Sequence, residues 1–167
     1  MSTEATGMTH LGDDQATPVR LRKLPSRLLS VAAAQADRLV STGLAGVDAR
    51  KWHYAVLVAL QESGPASQST LSRRTGIYRS DLVAVINELA DRGMVQRAPD
   101  PADRRRNVIT MTPQGRDHLS RLDTLLASFQ DDLLAPLTEP EREQLIGFLE
   151  RLVGHHARAT PRPAADR

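Results

Sequence analysis

The sequence contains no cysteine among its 167 residues. Without thiols the protein can form no disulfide, no thiolate metal site and no cysteine-based redox sensor. Aromatic residues make up only 3% of the chain, so its core must be filled mainly by Leu, Val, Ile and Ala. Because these side chains suit helices that pack along shared apolar stripes, we expect a mainly helical protein.

Long hydrophobic runs are also missing. No stretch approaches the length of a membrane span. The polar residues 1–16 lack the positively charged start and apolar centre of a signal peptide. We therefore expect a cytoplasmic protein that has no membrane partner.

Residue patterns that would indicate an enzyme or a metal site are scarce. We find no convincing pair of buried carboxylates, Ser-His-Asp set or Gly-rich phosphate loop. Leu122 stands four residues after His118, where a second metal-binding histidine would be expected, and the adjacent His155 and His156 point different ways on a helix. We expect no catalysis, no cofactor and no bound metal.

Positive charge is present but is concentrated in one region. The formal net charge is only +2, which by itself does not indicate a nucleic-acid partner. Between Gln68 and Arg116, however, nine arginines face five acidic residues, a local excess of four positive charges. This central region is the part of the chain suited to a polyanion.

Hydrophobic periodicity and capping residues predict six helices around this region. A capping box of Thr138 and Glu141 is expected to begin the last of them. Ser69 is the expected cap of the third, and Gly43 and Gly93 are expected to end the first and fourth. The first five are predicted at Pro25–Ser41, Asp48–Glu62, Thr70–Thr75, Arg79–Arg92 and Pro113–Ala135.

Two short strands are predicted between the fourth and fifth helices, at Met94–Ala98 and Val108–Thr112. The polar, arginine-rich connection between them is too long for a two-residue turn, so its tip should project into solvent as a wing. A short helix, a turn with glycine, an amphipathic helix and a wing together indicate a winged helix-turn-helix. We predict a mainly α fold with a small two- or three-stranded β-wing.

The amphipathic helix is the predicted recognition helix, because its apolar residues at i, i+3, i+4 and i+7 leave a polar face free for the major groove. Arg79 suits guanine, Ser80 permits close approach, and Asn87 suits either adenine or a phosphate. Asp81 would orient Arg79, favour the helix dipole or accept from cytosine. The full set of candidate DNA-binding residues is Ser69, Ser72, Arg73, Arg74, Arg79, Ser80, Asp81, Ala84, Asn87, Asp103, Arg104, Arg105 and Arg106.

At these residues the sequence resembles the MarR family, the multiple-antibiotic-resistance type regulators of bacteria. The resemblance spans roughly Trp52 to Leu122. Its most specific element is DPADRRRNVITMTPQGR, residues 100–116, which matches the family's Asp-x-Arg wing followed by a strand and Thr-Pro-x-Gly. The segment that begins at Tyr78, YRSDLVAVINELADRGMV, is also of the family's recognition-helix type.

The resemblance implies that Asp103 and Arg105 take the wing roles, with Arg105 entering the minor groove. It also implies a homodimer whose first and last helices intertwine, and repression that a small, often phenolic, ligand relieves. Trp52, His53 and Tyr54 are candidate ligand-pocket residues because the family's second helix begins near that pocket. Ordinary packing of these side chains is the alternative.

We therefore predict four parts of the chain. Residues 1–20 and 159–167 would be flexible tails, residues 48–117 the DNA-binding domain, and residues 21–47 with 118–158 the dimerisation region. The predicted function is a sequence-specific transcription regulator that binds a pseudo-palindromic operator as a homodimer. The alternative is a winged-helix module for protein contacts or non-specific DNA binding, without a ligand.

Overall fold

The computed structural model describes residues 17–100, 102–104 and 107–159, and says nothing about the side chains of residues 158 and 159. Its helices and strands follow one another as α1 (Val19–Arg22), α2 (Pro25–Ala45), α3 (Lys51–Ser63), α4 (Gln68–Thr75), α5 (Arg79–Asp91), β1 (Val95–Pro99), β2 (Asn107–Met111), α6 (Pro113–Leu133) and α7 (Glu139–Ala159). This is the predicted mainly helical fold with a small wing.

The helix α2 extends past its predicted end at Gly43. Gly43 lies inside the helix because the ring of Phe129, on α6, packs where a Cβ atom would be. At this position the missing side chain permits a close approach of two helices, and the helix ends only at Ala45.

Two helix starts also differ from their predicted positions. Ser67, rather than Ser69, caps α4, and its side chain accepts a hydrogen bond from the amide of Thr70 at 3.2 Å. α3 begins at Lys51 rather than Asp48, since Asp48 has a φ of 51° and cannot belong to a right-handed helix. The start of α1 lies within residues 1–20, the predicted tail.

The wing is an antiparallel pair in which Val95 lies opposite Met111 and Arg97 lies opposite Ile109. Ile109 and Met111 face the core, as alternate residues on one side of a strand do. Ala66 forms an isolated bridge to Ile109, so the described sheet has two strands with a single added bridge. The hydrogen bonds at Ala66 tie the wing to the turn between α3 and α4.

One hydrophobic core holds α3, α4, α5, the wing and the start of α6 together. Fully buried leucines and isoleucines from each element meet in it, and each contributes roughly 1.5–3 kcal/mol through burial. A smaller cluster of Leu44, Ala49 and Leu122 joins α2 to α6. The winged module is therefore a single packed unit to which the long helices are attached.

The helices α2 and α7 leave much of their apolar surface uncovered. Among the residues of α7 whose side chains are described, none is buried, and the most exposed of its large apolar residues, Val153, is 69% accessible. The other exposed apolar residues of the two helices are Leu28, Leu29, Ile146, Phe148, Leu149 and Leu152. This surface, the α2/α7 apolar face, is larger than isolated surface leucines would produce.

No helix in the described ranges is both long enough and apolar enough to cross a membrane.

Candidate nucleic-acid interface

The helix-turn-helix is fixed by short local hydrogen bonds. The hydroxyl of Ser72 donates to the carbonyl oxygen of Ile77 at 2.7 Å, across the turn. Gly76 has a φ of 74°, in the left-handed region that favours glycine, and this allows the chain to leave α4 and enter α5. Ser72, a candidate DNA-binding residue, therefore also holds the turn.

The structure places most candidate residues of the two helices on the surface. Ser69, Arg73 and Arg74 are exposed on α4. On α5 the exposed candidates are Arg79, Ser80, Asp81, Ala84 and Asn87. Leu82, Val85, Ile86 and Leu89 are buried on the opposite side and anchor the helix in the core. The recognition helix thus has the polar outer face that the sequence predicted.

Two further exposed side chains lie beside these candidates and were not among the predicted DNA-binding residues. Tyr78, immediately before α5, is 76% exposed, and Val83 is 42% exposed on its outer face. An apolar side chain on this face can contact a thymine methyl group. The sequence did carry a signal for Val83, because it is an apolar residue that lies outside the i, i+3, i+4, i+7 stripe of α5.

The wing is described only in part. Asp103 and Arg104 are exposed near its tip, whereas Arg105 and Arg106 lie outside the described residues. The carboxylate of Asp100 accepts from the amide of Ala102 at 2.9 Å, which tightens the turn at the start of the loop. The predicted role of Arg105 in the minor groove therefore stays a prediction.

Hydrogen bonds and an ion pair at Glu88 join the recognition helix to the start of α3. Nδ1 of His53 accepts from the backbone amide of Arg50 at 3.2 Å, so the ring proton lies on Nε2 and is donated to Glu88 at 2.8 Å. Arg50 also forms an ion pair with Glu88. The hydrogen bonds from Arg50 and His53 lower the pKa of the Glu88 carboxyl. These contacts at Glu88 hold α5 in place against α3.

The junction between the recognition helix and α6 is built from the Thr-Pro-x-Gly element. The hydroxyl of Thr112 donates to the carbonyl oxygen of Gly93 at 2.6 Å and also accepts from the amide of Gly115 at 3.0 Å. Gln114 donates to the carbonyl oxygen of Arg92 at 3.0 Å. Gly115 is buried against the carbonyl of Met94. A rigid joint therefore connects α5 to the long helix.

The three predicted ligand-pocket residues do not meet in one cavity. Trp52 is 46% exposed. His53 faces Glu88, in a cavity of about 550 Å³ that is also lined by Arg92. Tyr54 faces a different cavity of about 530 Å³, where its hydroxyl donates to Asp123 at 2.9 Å and its pKa is raised, chiefly by burial.

A third cavity, the His118 cavity, has a volume of about 630 Å³ and lies between α6 and the end of α5. Its lining is Val47, Arg92, Met94, His118, Arg121, Leu122, Thr124, Leu125 and Ser128. No acidic residue is among them. Apolar walls with two arginines suit a small anion that has an apolar body.

His118 is the unusual residue in this cavity. It is 5% exposed, and its Nε2 atom has no hydrogen-bond partner in the described part of the protein. Burial lowers the pKa of His118, and the nearby positive charges of Arg92 and Arg121 lower it further. The available sequence signal was a histidine in the apolar stripe that also contains Leu119 and Leu122.

Metal binding has no visible site in the ranges that the structure describes. No group of three His, Asp or Glu side chains there could hold a metal ion. His155 and His156 instead stack edge to face, with ring centres 5.0 Å apart.

Comparison with known proteins agrees with this geometry. A family model described as the MarR family matches residues 45–106. The uncharacterized HTH-type transcriptional regulator YcgE of Bacillus subtilis is 35% identical over 136 residues, which cover 80% of this chain and 82% of that protein. The chain spans about 60% of the length of several other curated relatives that it matches.

Solved structures of transcription regulators also superimpose on the chain. The transcriptional repressor CouR of Rhodococcus jostii, bound to a 23-mer DNA duplex, matches with a TM-score of 0.73 and 26% identity, covering 81% of this chain and 96% of CouR. PcaV of Streptomyces coelicolor, in complex with its natural ligand, matches with a TM-score of 0.69 and 28% identity, covering 83% and 97%.

Proposed function

Because this chain belongs to the MarR family of transcription regulators, we propose that it binds duplex DNA sequence-specifically as a homodimer and releases it when a small anion binds. The observation that carries the proposal is the outer face of α5, where Arg79, Ser80 and Asn87 are exposed beside an arginine-bearing wing. The resemblance to CouR, whose structure contains a DNA duplex, supports this role.

Duplex binding is the direct test. A labelled duplex from the region upstream of the gene is titrated with the protein at several salt concentrations and challenged with unrelated duplex. Tight binding that resists the unrelated competitor and weakens steeply with salt supports a sequence-specific regulator. Equal, weak binding to both duplexes would favour the alternative, a winged module for non-specific or protein contacts.

Arg79→Ala should relax sequence preference at one base pair in each half-site. Arg79 lies in the first turn of α5, where an exposed guanidinium can form two hydrogen bonds with one guanine. We expect a loss of about 1–3 kcal/mol on the best site, with a smaller loss on a site mutated at that base pair. Binding selections with wild-type and variant protein measure this. An unchanged site preference would contradict the assignment of Arg79.

The α2/α7 apolar face is the proposed dimer interface. A partner copy that covers this face would remove its exposed leucines and Phe148 from water. Residues 21–47 and 118–158 would then form the dimerisation region, and residues 48–117 would carry the DNA contacts. Two modules on one rigid dimer match the two half-sites of a pseudo-palindrome.

The His118 cavity is the proposed effector site. Its two arginines attract a carboxylate or phenolate, its apolar walls accept a ring, and Nε2 of His118 is available to the ligand. The cavity borders Arg92, which forms one hydrogen bond with the loop before α3 and follows the last residue of α5. A ligand here can therefore change the position of the recognition helix. The resemblance to ligand-bound PcaV supports an effector.

Affinity for the probe 4-hydroxybenzoate should increase as the pH falls from about 8 towards 6. The free-state pKa of His118 is lowered, and a bound anion beside the ring raises it, so binding takes up a proton. The expected change is at most about tenfold per pH unit. Calorimetry in two buffers with different ionisation enthalpies measures the proton uptake.

His118→Leu is the control for this pH dependence, because it keeps the cavity apolar and removes the titrating ring. The variant should bind the probe with an affinity that hardly changes across the same pH range. If the wild-type protein binds the probe without proton uptake, His118 does not contact the anion.

The family relationship also indicates a role other than catalysis, because the relatives it identifies are transcription regulators. We infer that the chain is not an enzyme. A duplex-DNA partner further supports action in the bacterial cytoplasm, where the operator is found.

A further inference from the structure

Arg97 occupies an unusual position for a charged residue. It lies opposite Ile109, which is 1% exposed, so both side chains begin on the core-facing side of the wing. Its neighbour on the same side of β1, Val95, is also buried, but Arg97 itself is exposed. The side chain must therefore run along the core and bring its guanidinium to the surface at the root of the wing.

The guanidinium emerges beside the recognition helix. Nη2 of Arg97 donates to Oδ1 of Asn87 at 2.5 Å. Because a guanidinium only donates, the bond identifies which end of the Asn87 amide faces Arg97. The two N–H groups of Nδ2 therefore point away from Arg97. Neither partner is buried, so the bond connects α5 to the wing at the protein surface.

The hydrogen-bonding groups that remain are almost all donors. Arg97 has further N–H groups, and the Asn87 amide offers two more from Nδ2. Reading an adenine would need the Asn87 oxygen as an acceptor for the base, and the bond from Arg97 occupies one of its two lone pairs and turns the oxygen towards the wing. Within the described ranges, Arg97 forms no ion pair with a carboxylate, so the guanidinium charge is not neutralised by one.

We propose that Arg97 and Asn87 form one phosphate-binding clamp at the root of the wing. The clamp binds a non-bridging phosphate oxygen between the groove that α5 enters and the groove that the wing approaches. It fixes the depth and register of the recognition helix and reads no base. This inference rests on the proposed DNA-binding function and assigns Asn87 to the DNA backbone.

Salt-dependent duplex binding tests the clamp. Arg97→Ala and Asn87→Ala should each weaken binding by about tenfold, equally on the operator and on operators with single base changes. Arg97→Ala should also reduce the slope of log affinity against log salt by about two units, because the homodimer loses one phosphate contact in each half-site. Since the two residues act together, the double variant should lose less than the two single losses combined.

The Asn87→Asp variant distinguishes a phosphate-binding role of the pair from a hydrogen bond that only stabilises the fold. A carboxylate would strengthen the bond to Arg97 and so preserve any purely structural role, but it would repel a phosphate. We therefore expect Asn87→Asp to bind the duplex more weakly than Asn87→Ala does. Thermal unfolding of each variant checks that it is folded. Duplex binding by Asn87→Asp that equals or exceeds the wild-type level would overturn the clamp.

Chemically modified duplexes test the same contact from the DNA side, with the wild-type protein as the reference. A neutral methylphosphonate at the contacted phosphate should weaken duplex binding by the wild-type protein and leave binding by the double Ala variant of Arg97 and Asn87 unchanged. If 7-deazaadenine at one operator position weakens duplex binding by the wild-type protein but not by Asn87→Ala, Asn87 reads a base and the clamp is wrong. Wild-type protein that shows no salt-dependent duplex binding would overturn the proposed function, and the clamp with it.

Discussion

Phe148→Glu combined with Leu152→Glu should convert the dimer into monomers and weaken operator binding by at least about 100-fold. The two residues lie four apart on α7, are 56% and 45% exposed, and belong to the α2/α7 apolar face. In a two-fold dimer each substitution is present twice, so four apolar side chains that the proposed interface would cover become charged. A monomer contacts one half-site and loses the advantage of binding both modules at once.

Light scattering combined with chromatography measures the mass, and duplex titration measures the affinity. Arg151→Glu is the matched control, because it also lowers the net charge by two and changes an exposed residue of α7 outside the apolar face. This control should remain dimeric. A double variant that stays dimeric would place the interface elsewhere on the molecule.

The sequence predicted the winged module well because its signals are local. Apolar residues at helical spacing defined the buried side of α5, and the alternation of Ile109 and Met111 defined the inner face of β2. The Thr112 cap of α6 is another local feature, since its side chain accepts from the amide of Gly115. Each of these features depends on residues close together in the chain.

Features that depend on distant residues were predicted less well. Gly43 was expected to end α2, but Phe129, 86 positions later in the sequence, packs against it and the helix continues. The candidate pocket residues Trp52, His53 and Tyr54 are consecutive in sequence but point to different surroundings on α3. Only packing against α5 and α6 shows this difference.

The Arg97–Asn87 pair was missed for the same reason. Arg97 was counted only as part of the local positive charge, and Asn87 was assigned to adenine or phosphate from its helix face alone. Their hydrogen bond joins residues on different elements. Arg97 did carry one signal, because it falls on the inward-facing side of a strand where an apolar residue is usual.

The joint at Gly115 shows how one glycine connects the DNA-binding module to the long helix. Thr112 and Gln114 bind the carbonyl oxygens of Gly93, Met94 and Arg92, which draws the start of α6 towards the end of α5. Gly115 sits where the two segments come closest. The absence of a side chain at this residue is what permits the hydrogen bonds around it.

Gly115→Ala should therefore destabilise the fold by about 2–4 kcal/mol. The new methyl group would collide with the carbonyl oxygen of Met94 and with the side chain of Met111. A carbonyl in the backbone cannot move aside as the end of a flexible side chain can, so α6 must shift and weaken the hydrogen bonds of the joint. Urea unfolding at a fixed protein concentration measures the loss, since the stability of a dimer depends on concentration.

Asp117→Ala, on the exposed side of the same helix, is the matched control and should change stability by less than about 0.5 kcal/mol. Because Gly115→Ala moves α6 relative to α5, it should also weaken DNA binding under conditions in which the variant remains folded. If the variant is as stable as the Asp117→Ala control, α6 does not pack against the Met94 carbonyl as described.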